Sequence, residues 1–329
     1  MPSGEDKLIR RYFKPLATAP GALGLTDDAA SFAPPEGHDL VLTTDAIVSG
    51  VHFLPDDPAE TVARKALRVN LSDIAAKGAN PAGCLLTLAL PEGFGEAWLS
   101  RFASALQSDC DLFASPLYGG DTVRTAGPLW LSVTAFGTLP HGTMVTRGGA
   151  KPGDRIVVTG TIGDAALGLR LLREPDLIGQ WSLSDDEAAH LVGRYRVPQP
   201  RNAMADMVRA FASAAMDVSD GLAGDLQKLC EVSGVSARIA AGRLPLSAAA
   251  GRALATAPGL IETIATGGDD YEILATIPAD KLPAFLEQAR IAAVSVTEIG
   301  EIVSGREPVQ VIGADGALLT FARGSFSHF

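Results

Sequence analysis

Aspartates beside small residues recur along this chain, and they are the side chains best suited to chemistry. Each stands where an apolar segment gives way to glycine, serine or threonine. The six segments are Thr26–Ala29, Thr43–Asp45, Asn70–Asp73, Gly119–Thr122, Asp217–Gly221 and Gly267–Asp270. Because side chains at the carboxyl ends of strands in open α/β sheets line a ligand crevice, we expect several of these aspartates to converge.

Converging carboxylates require a balancing positive charge. Two carboxylates about 4 Å apart repel by roughly 4 kcal/mol at an effective dielectric constant of 20. Mg²⁺ prefers oxygen ligands and combines one or two carboxylates with waters and substrate phosphates. Thr43 and Thr44 add neutral oxygens beside Asp45, and neighbouring glycines let backbone N–H groups approach phosphate oxygens. The pattern therefore predicts several Mg²⁺ ions that hold bound phosphates.

The same residue types also build ordinary turns and caps, so each segment alone is a weak signal. A structural α/β protein and a non-catalytic nucleotide-sensing module both stay open at this point. The chain lacks GxxxxGKS/T, HRD, DFG, HExxH and GxSxG motifs. These absences exclude a familiar P-loop or protein-kinase site and leave a zinc or serine hydrolase unsupported.

Composition limits the class of protein and its partners. The 329 residues carry a net charge of −11, so no basic excess exists for nucleic acid or an anionic membrane. The three cysteines form no CxxC pair, which suits a reducing cytosol rather than a disulfide framework. No apolar stretch is long enough for a signal peptide or a membrane span, so we expect a cytoplasmic protein.

The order of elements predicts an α/β (α+β) fold in two domains, 1–146 and 147–329, joined by the Gly- and Pro-rich stretch 147–154. Predicted helices cover 59–77, stopped by Gly78, then 96–113, and 220–232 with Ser219 as N-cap. Predicted strands cover 40–45, 84–90, 129–137, 155–160, 236–240, 271–277, 294–299 and 308–312.

Taken in order, the motifs resemble those of the thiamine-monophosphate kinase family, in the AIR-synthetase-like superfamily. The matching segments are Gly4-Glu5, Leu8–Arg10, Thr26–Ala29, Thr43–Asp45, Gly50–Phe53, Lys65–Asp73, Gly78–Pro81, Gly119–Thr122, Thr146–Asp154, Asp217–Leu222, Gly267–Glu272 and His328-Phe329. The resemblance implies an N-terminal domain whose strands form a β-barrel across a homodimer. It also implies a C-terminal α/β domain with a mixed sheet, and ATP bound in the cleft between the domains.

The resemblance further implies a reaction, ATP-dependent phosphorylation of thiamine monophosphate to thiamine diphosphate, and a set of site residues. The implied Mg²⁺ ligands are Asp28, Thr43, Thr44, Asp45, Asp73, Asp121, Asp217 and Asp220. The implied ATP contacts are Phe113, Gly120, Asp121, Arg147 and Ser219. The implied contacts to thiamine monophosphate are His52, Asp269 and Phe326. Phe113 stands where the family often has tyrosine, and Asp269 where it commonly has glutamate.

Chemistry indicates how such an enzyme would act. The second pKa of a phosphate monoester is about 6, so the acceptor oxygen needs no general base near neutral pH. We expect direct in-line transfer with no phosphoenzyme, in which Asp45, Asp73, Asp121 and Arg147 are the catalytic residues. The alternative is another enzyme of the superfamily with a different small phosphorylated or anionic acceptor. One such enzyme, selenophosphate synthetase, uses a cysteine near the N-terminus, whereas the first cysteine here is Cys84.

Overall fold

Residues 7–322 and 324–325 are described by the computed structural model, and they divide into two units. Unit 1 contains the residues up to Ile74 together with Ala79–Thr143. Unit 2 contains Ala75–Gly78 and the residues from Met144 onward. The predicted domain boundary, between residues 146 and 147, lies close to this change of unit. Each unit has its own sheet and its own hydrophobic core.

Unit 1 is built on a four-stranded sheet. Its elements are β1 (His38–Val48), α1 (Ala59–Ala76, which runs on into unit 2), β2 (Asn80–Pro91), α2 (Glu96–Leu112), β3 (Leu117–Thr125) and β4 (Trp130–Pro140). Short helical turns at Ile9–Phe13, Lys14–Leu16 and Pro20–Leu25 precede them. The strand order is β1-β4-β2-β3, in which β4 is antiparallel to both neighbours and β2 is parallel to β3. Strands β1 and β3 are therefore the two edges of the sheet.

Among the described residues, one face of this sheet is packed, whereas the other is largely exposed. Val41 and Ile47 of β1 are buried on the covered face, whereas Leu42 on the other face is 63% exposed. Leu85 and Val123 share the open face through their register with β1 and β4, and both are also exposed. An alternating pattern of this kind is typical of a strand with one packed face.

Unit 2 is built on a seven-stranded mixed sheet in the order β11-β10-β7-β9-β5-β8-β6. Its strands are β5 (Arg155–Thr159), β6 (Ala214–Asp217), β7 (Ser236–Ala240), β8 (Ile273–Ile277), β9 (Val296–Val303), β10 (Gln310–Ile312) and β11 (Leu318–Leu319). Its helices are α3 (Asp164–Arg173), α4 (Leu177–Gln180), α5 (Asp185–Arg196), α6 (Ala205–Phe211), α7 (Leu222–Ser233), α8 (Ala248–Thr256), α9 (Leu260–Thr266) and α10 (Leu282–Ile291). Ile156, Val157 and Val158 are all buried, so both faces of β5 are covered.

The predicted α/β class is confirmed, and eight predicted strands correspond to observed ones. Strands β3, β6 and β11 were not predicted. The N-cap prediction for Ser219 is wrong, because α7 begins at Leu222 after Gly221 and has no side-chain cap. Among the described helices, none is long and apolar enough to cross a membrane.

Candidate functional site

Strand β1 and helix α1 bring three of the predicted ligands together in unit 1. The Thr43 hydroxyl donates to Asp73 Oδ2 at 2.6 Å. The Asp45 backbone N–H donates to the Asn70 Oδ1 atom at 2.9 Å, so Asp45 lies beside the same helix. Thr44 points to the other face of the sheet, where its hydroxyl donates to the Val133 carbonyl at 3.2 Å. Adjacent strand residues face opposite sides, so the two threonine hydroxyls do not share one site within the chain.

His52 is fixed in the turn that follows β1. The Val48 backbone N–H donates to His52 Nδ1 at 3.1 Å, and the buried Lys65 ammonium donates to the His52 carbonyl at 2.8 Å. Because Nδ1 accepts a hydrogen bond, the neutral ring carries its proton on Nε2. The Nε2–H group is thereby set as a donor, which suits contact with an anionic oxygen.

A second group of predicted residues lies at the other edge of the unit 1 sheet. A cavity of about 460 Å³ is lined by Asp28, Gly120 and Asp121 together with apolar side chains such as Phe13 and Leu25. The N-terminal segment forms one wall of this cavity and β3 forms the other. Carboxylates and an apolar wall are thus combined in one cavity.

The two groups of unit 1 are separated by the full width of the sheet. Asp45 on β1 is in register with Val133 on β4, Val133 with Leu86 on β2, and Leu86 with Gly120 on β3. Three strand spacings amount to about 14 Å along the sheet. The expected convergence of Asp45 with Asp121 is therefore wrong within one chain. These aspartates lie inside edge strands of a mixed sheet, whose strand ends do not meet at one side.

Phe113 follows α2 directly and is held by a buried ion pair. The Arg68 guanidinium lies over the Phe113 ring, 5.3 Å from its centroid. Arg68 also binds Asp109 through two hydrogen bonds, of 2.5 and 2.9 Å. A guanidinium over an aromatic face is a favourable cation–π contact, which fixes the orientation of the ring.

In unit 2 the loop 217–221 carries Asp217, Ser219 and Asp220, and the Asp225 carboxylate supports it from beneath. Asp217 ends β6 and is only 4% exposed. Asp225 Oδ2 accepts hydrogen bonds from the backbone N–H groups of Ser219, Asp220 and Gly221, at 3.0, 3.0 and 3.2 Å. Burial raises the pKa of Asp225 despite these bonds. No role for Asp225 was predicted from the sequence.

The positive charge of Lys228 balances the negative charge of the carboxylates at this loop. Its ammonium group lies 2.9 Å from Asp225 Oδ1 and 2.6 Å from Asp220 Oδ2. Although burial opposes the charge of Lys228, hydrogen bonds to Asp220 and Asp225 raise its pKa. Asp220 is therefore an ion-paired carboxylate in this structure.

The loop 267–272 is joined to the loop 217–221 through the backbone. The Asp269 N–H donates to the Ser219 carbonyl and the Tyr271 N–H to the Val218 carbonyl, both at 2.8 Å. A Cβ atom on Gly268 would collide with the Ser219 carbonyl oxygen, so this glycine permits the close approach of the two loops. The structure thus brings Asp217, Ser219, Asp220 and Asp269 into one pair of joined loops.

Arg147 lies on an exposed segment that is anchored by its backbone. The Ala215 N–H donates to the Thr146 carbonyl at 3.0 Å, and the Ser233 hydroxyl donates to the Arg147 carbonyl at 3.2 Å. Within the described part of the chain, the Arg147 guanidinium forms no ion pair. Its charge is therefore available for an anionic ligand. Phe326 lies outside the described residues.

The donor set fits Mg²⁺ that is shared with phosphate. Among residues 7–322 and 324–325, no three His, Cys, Asp or Glu side chains are close enough to hold an ion by themselves. The predicted ligands instead offer hard oxygens in small sets, such as Asp73 with Thr43. Mg²⁺ usually takes one or two carboxylates and completes its shell with water and substrate phosphate.

Sequence reasoning also missed the buried acid Glu272 and its two arginines. Glu272 is fully buried, and both Arg194 and Arg201 donate to its carboxylate. Glu272 belongs to a matched motif, but its partners lie more than seventy residues away along the chain. No spacing rule connects such residues, so only the fold could show this cluster.

Comparisons with known proteins match both halves of the chain. Residues 26–139 match the family described as AIR synthase related protein, N-terminal domain, and residues 151–312 match the corresponding C-terminal domain. The chain is 45% identical to the thiamine-monophosphate kinase of Caulobacter vibrioides over 92% of its own length and 85% of that protein. It is 39% identical to the thiamine-monophosphate kinase of Escherichia coli K12 over 100% and 99% of the two chains.

Solved structures agree with these relatives. The crystal structure of thiamine-monophosphate kinase from Stenotrophomonas maltophilia is similar with a TM-score of 0.84 and 39% identity, over 96% of this chain and 98% of that one. A structure described as AaThiL complexed with AMPPCP and TMP is similar with a TM-score of 0.78 and 32% identity, over 92% and 91% of the chains.

Proposed function

The chain belongs to the thiamine-monophosphate kinase family, and from that premise we propose how its residues divide the work of phosphoryl transfer. Its reaction is the ATP-dependent phosphorylation of thiamine monophosphate to thiamine diphosphate. The observation that carries this conclusion is the match over nearly the whole chain to a protein solved with AMPPCP and TMP together.

The acceptor phosphate does not need a general base. It is mostly dianionic near neutral pH because its second pKa is about 6. The obstacle is the repulsion between acceptor and nucleotide, which positioning and positive charge must overcome. The chain therefore needs groups that hold two anions in line, and we assign no residue to proton removal.

On the acceptor side we assign His52 and Asp269, and also Phe326, which lies outside the described residues. The Nε2–H of His52 would donate to a phosphate oxygen. The Asp269 carboxylate would attract the positively charged thiazolium part of the substrate. Asp269 is supported by the backbone bond that joins it to Ser219.

On the nucleotide side we assign Phe113, Gly120, Asp121, Arg147 and Ser219. Arg147 would donate its fork of N–H groups to phosphate oxygens, a geometry that lysine cannot reproduce. Its lack of an ion pair with described residues supports this role. Gly120 and Asp121 would contact the nucleotide from the cavity at β3.

The metal ligands we assign are Asp28, Thr43, Thr44, Asp45, Asp73, Asp121, Asp217 and Asp220. Bound Mg²⁺ would neutralise phosphate charge and polarise the transferred phosphoryl group. The chain's own part is to keep carboxylate oxygens fixed, as the Thr43 hydroxyl does for Asp73. Isothermal titration of Mg²⁺ into the protein with AMPPCP should show tight binding that Asp73→Asn weakens.

We also propose a homodimer, because the unit 1 ligands lie at opposite edges of one sheet. The open face of that sheet exposes Leu42, Leu85 and Val123, which a second copy would cover. A second copy could also bring its β3 edge beside the β1 edge of the first. Asp45 of one copy and Asp121 of the other would then serve one site.

Mixed dimers test this arrangement. A dimer with one Asp45→Asn chain and one Asp121→Asn chain would contain one intact site and one doubly altered site. Its activity should be about half that of wild type, whereas each parent dimer should be inactive. A mixed dimer of Asp45→Asn with Asp73→Asn is the control, since both changes affect the β1–α1 group. Recovery in the control, or none in the first pair, would refute the shared site.

The reaction is tested by thiamine monophosphate-dependent ADP formation with ATP and Mg²⁺, with free thiamine as the control acceptor. Equal rates with both acceptors would refute the substrate assignment. Direct transfer predicts that γ-labelled ATP leaves no label on the protein, so a trapped phosphoprotein would refute it. We further propose a cytoplasmic location, which the three buried and unpaired cysteines support.

A further inference from the structure

The loop 267–272 has strained backbone on both sides of a buried acid. Asp269 and Tyr271 both adopt positive φ, of 72° and 51°, which L-residues with side chains seldom take. Asp270 between them is buried, and the Gly163 backbone N–H donates to its carboxylate at 2.8 Å. Strain of this kind persists only where surrounding contacts enforce it, and it concentrates at functional sites.

A buried charge cluster at the end of the loop supplies such contacts. Glu272 accepts hydrogen bonds from Thr159 Oγ1 at 2.6 Å, from Arg194 Nη2 at 2.9 Å and from Arg201 Nε at 2.6 Å. Arg201 adds a second bond through Nη2, so its fork grips both carboxylate oxygens. The Glu272 side chain is fully buried. The neighbouring Gly160 leaves room for this pair, because a Cβ there would overlap the Glu272 carboxylate.

The same cluster controls the loop 217–221 through the backbone. The Val218 N–H donates to the Glu272 carbonyl at 2.8 Å, and the Tyr271 N–H returns a bond to the Val218 carbonyl. One residue further along, the Asp269 N–H bonds the Ser219 carbonyl. Holding Glu272 therefore fixes both Asp269, assigned above to the acceptor, and Ser219, assigned to the nucleotide.

We propose that Glu272, Arg194 and Arg201 form a clamp of positioning residues that sets the spacing between the acceptor contact and the nucleotide contact. This inference rests on the proposed function, since it takes Asp269 and Ser219 as ligand contacts. The clamp touches neither reactant. It acts by keeping two contacts at the separation that in-line transfer requires, and a displacement of 1 Å can lower a rate by about 100-fold.

Two variants test the clamp with different risks to folding. Glu272→Gln keeps the shape of the side chain but removes the charge that both arginines share. Arg201→Lys keeps the positive charge but loses the forked pair of donors, and this side chain is partly exposed, which makes the change milder. Each should lower kcat/KM for thiamine monophosphate by about 10- to 100-fold. Each should also weaken thiamine monophosphate binding measured by titration without ATP.

The control is Asp154→Asn, a buried carboxylate at the opposite end of the same strands. Asp154 precedes β5 and accepts from the Ser213 hydroxyl at 2.5 Å, whereas Thr159 ends that strand beside the clamp. This variant should lower thermal stability while kcat/KM stays within about 2-fold of wild type, since it leaves both loops in place.

The outcomes separate positioning from general destabilisation. Loss of kcat/KM in a clamp variant whose melting temperature equals that of the control supports the proposal. Wild-type kinetic constants and binding in Arg201→Lys would overturn it, even if Glu272→Gln failed to fold. Because the binding titration contains no ATP, it judges the clamp even if wild-type protein formed no ADP, a result that would overturn the proposed function instead.

Discussion

Apart from Asp28, the candidate metal ligands of unit 1 stand on regular strands and a helix, whereas the candidate ligands of unit 2 lie at the end of β6 and on two irregular loops. In unit 1, Asp45 and Asp121 are exposed on edge strands and far apart in one chain. In unit 2, Asp217 is buried, and the loop beyond it is held by Asp225 beneath. Regular elements supply their own backbone bonds, so their side chains can face outward. Loops must be stabilised by buried groups that take no part in the chemistry.

Because of this difference, we expect substitutions of carboxylates to have different effects in the two units. A unit 1 carboxylate can be neutralised at little cost to folding, because it contributes few contacts to the protein. A buried unit 2 carboxylate supports the backbone around it, so its removal affects stability first. We expect activity and stability to separate in unit 1 and to fall together in unit 2.

The largest effect expected is on activity, from Asp73→Asn in unit 1. The amide oxygen of asparagine can still accept the Thr43 hydrogen bond, so the fold keeps this contact. The negative charge that a metal requires is lost, and kcat should fall by about 100- to 1,000-fold, as for one preorganised electrostatic contact. The measurement is ADP formation together with the melting temperature. Normal turnover at saturating Mg²⁺ would count against a ligand role for Asp73.

The next effect is on stability, from Asp225→Ala in unit 2. The change leaves the N–H groups of Ser219, Asp220 and Gly221 without their acceptor and the Lys228 ammonium without one partner. The free energy of unfolding should fall by about 3 kcal/mol. Urea unfolding followed by far-UV circular dichroism measures it. Lys228→Met is the matched control, because it removes the charge but leaves the three backbone bonds, and it should lose less.

Much of the secondary structure of unit 1 was predictable, because the spacing of apolar residues along the sequence determines it. Apolar spacing and Gly78 located α1 to within about a residue, and the short apolar run at the start of 40–45 located the middle of β1. Strand β3 escaped because Gly119 and Gly120 have low strand propensity, and only pairing with β2 makes them a strand. Strand order is set by long-range pairing, so the sequence could not show that Asp45 and Asp121 lie at opposite edges.

The loops of unit 2 were less predictable for a related reason. The motif that contains Asp217 and Ser219 suggested a cap at Ser219, which is wrong because the N-cap of α7 is Gly221. The atoms that hold the segment belong to Asp225 and, through the second loop, to Glu272. The arginine partners of Glu272 are distant along the chain, and no local pattern encodes such contacts. The Asp225 contacts span only four to six residues, but they come from inside α7 and not from its N-cap position.

The two units should also differ in how their stability depends on pH, which is a smaller effect. Burial raises the pKa of Asp270 in unit 2 well above its usual value, whereas a backbone hydrogen bond from Gly142 and a contact with His141 lower that of Asp39 in unit 1. The contribution of Asp270 to stability is therefore fully present below the pKa of an unfolded aspartate, near 4. This contribution is lost as the pH rises through the pKa of Asp270 in the folded protein. Asp39 contributes stability above that pH, which is lost on acidification.

Urea midpoints between about pH 4 and pH 8 test the prediction for Asp270. Asp270→Asn should gain stability relative to wild type as the pH rises, because asparagine has no charge to bury. For Asp39→Asn the midpoints are measured between about pH 2 and pH 5, where the variant should lose stability relative to wild type as the pH rises, because the lowered pKa of Asp39 places the change near and below the unfolded pKa. Parallel curves for wild type and either variant would contradict the corresponding prediction. The two variants serve as controls for each other, since each replaces a carboxyl by an amide.

The smallest effect expected is at Phe113, where a unit 1 contact depends on one ring. Phe113→Leu removes the aromatic face beneath Arg68 but leaves the Arg68–Asp109 ion pair. A cation–π contact at a partly exposed site is worth about 0.5–1 kcal/mol. Because this contact orients the ring that we assign to ATP, its loss should raise KM for ATP by only about 2- to 5-fold. Phe94→Leu is the control, because that ring packs against Trp98 in the same unit at 4.9 Å. A similar rise of KM in both variants would show that the effect arises from general loosening of unit 1. A rise confined to Phe113→Leu would place the ring at the nucleotide.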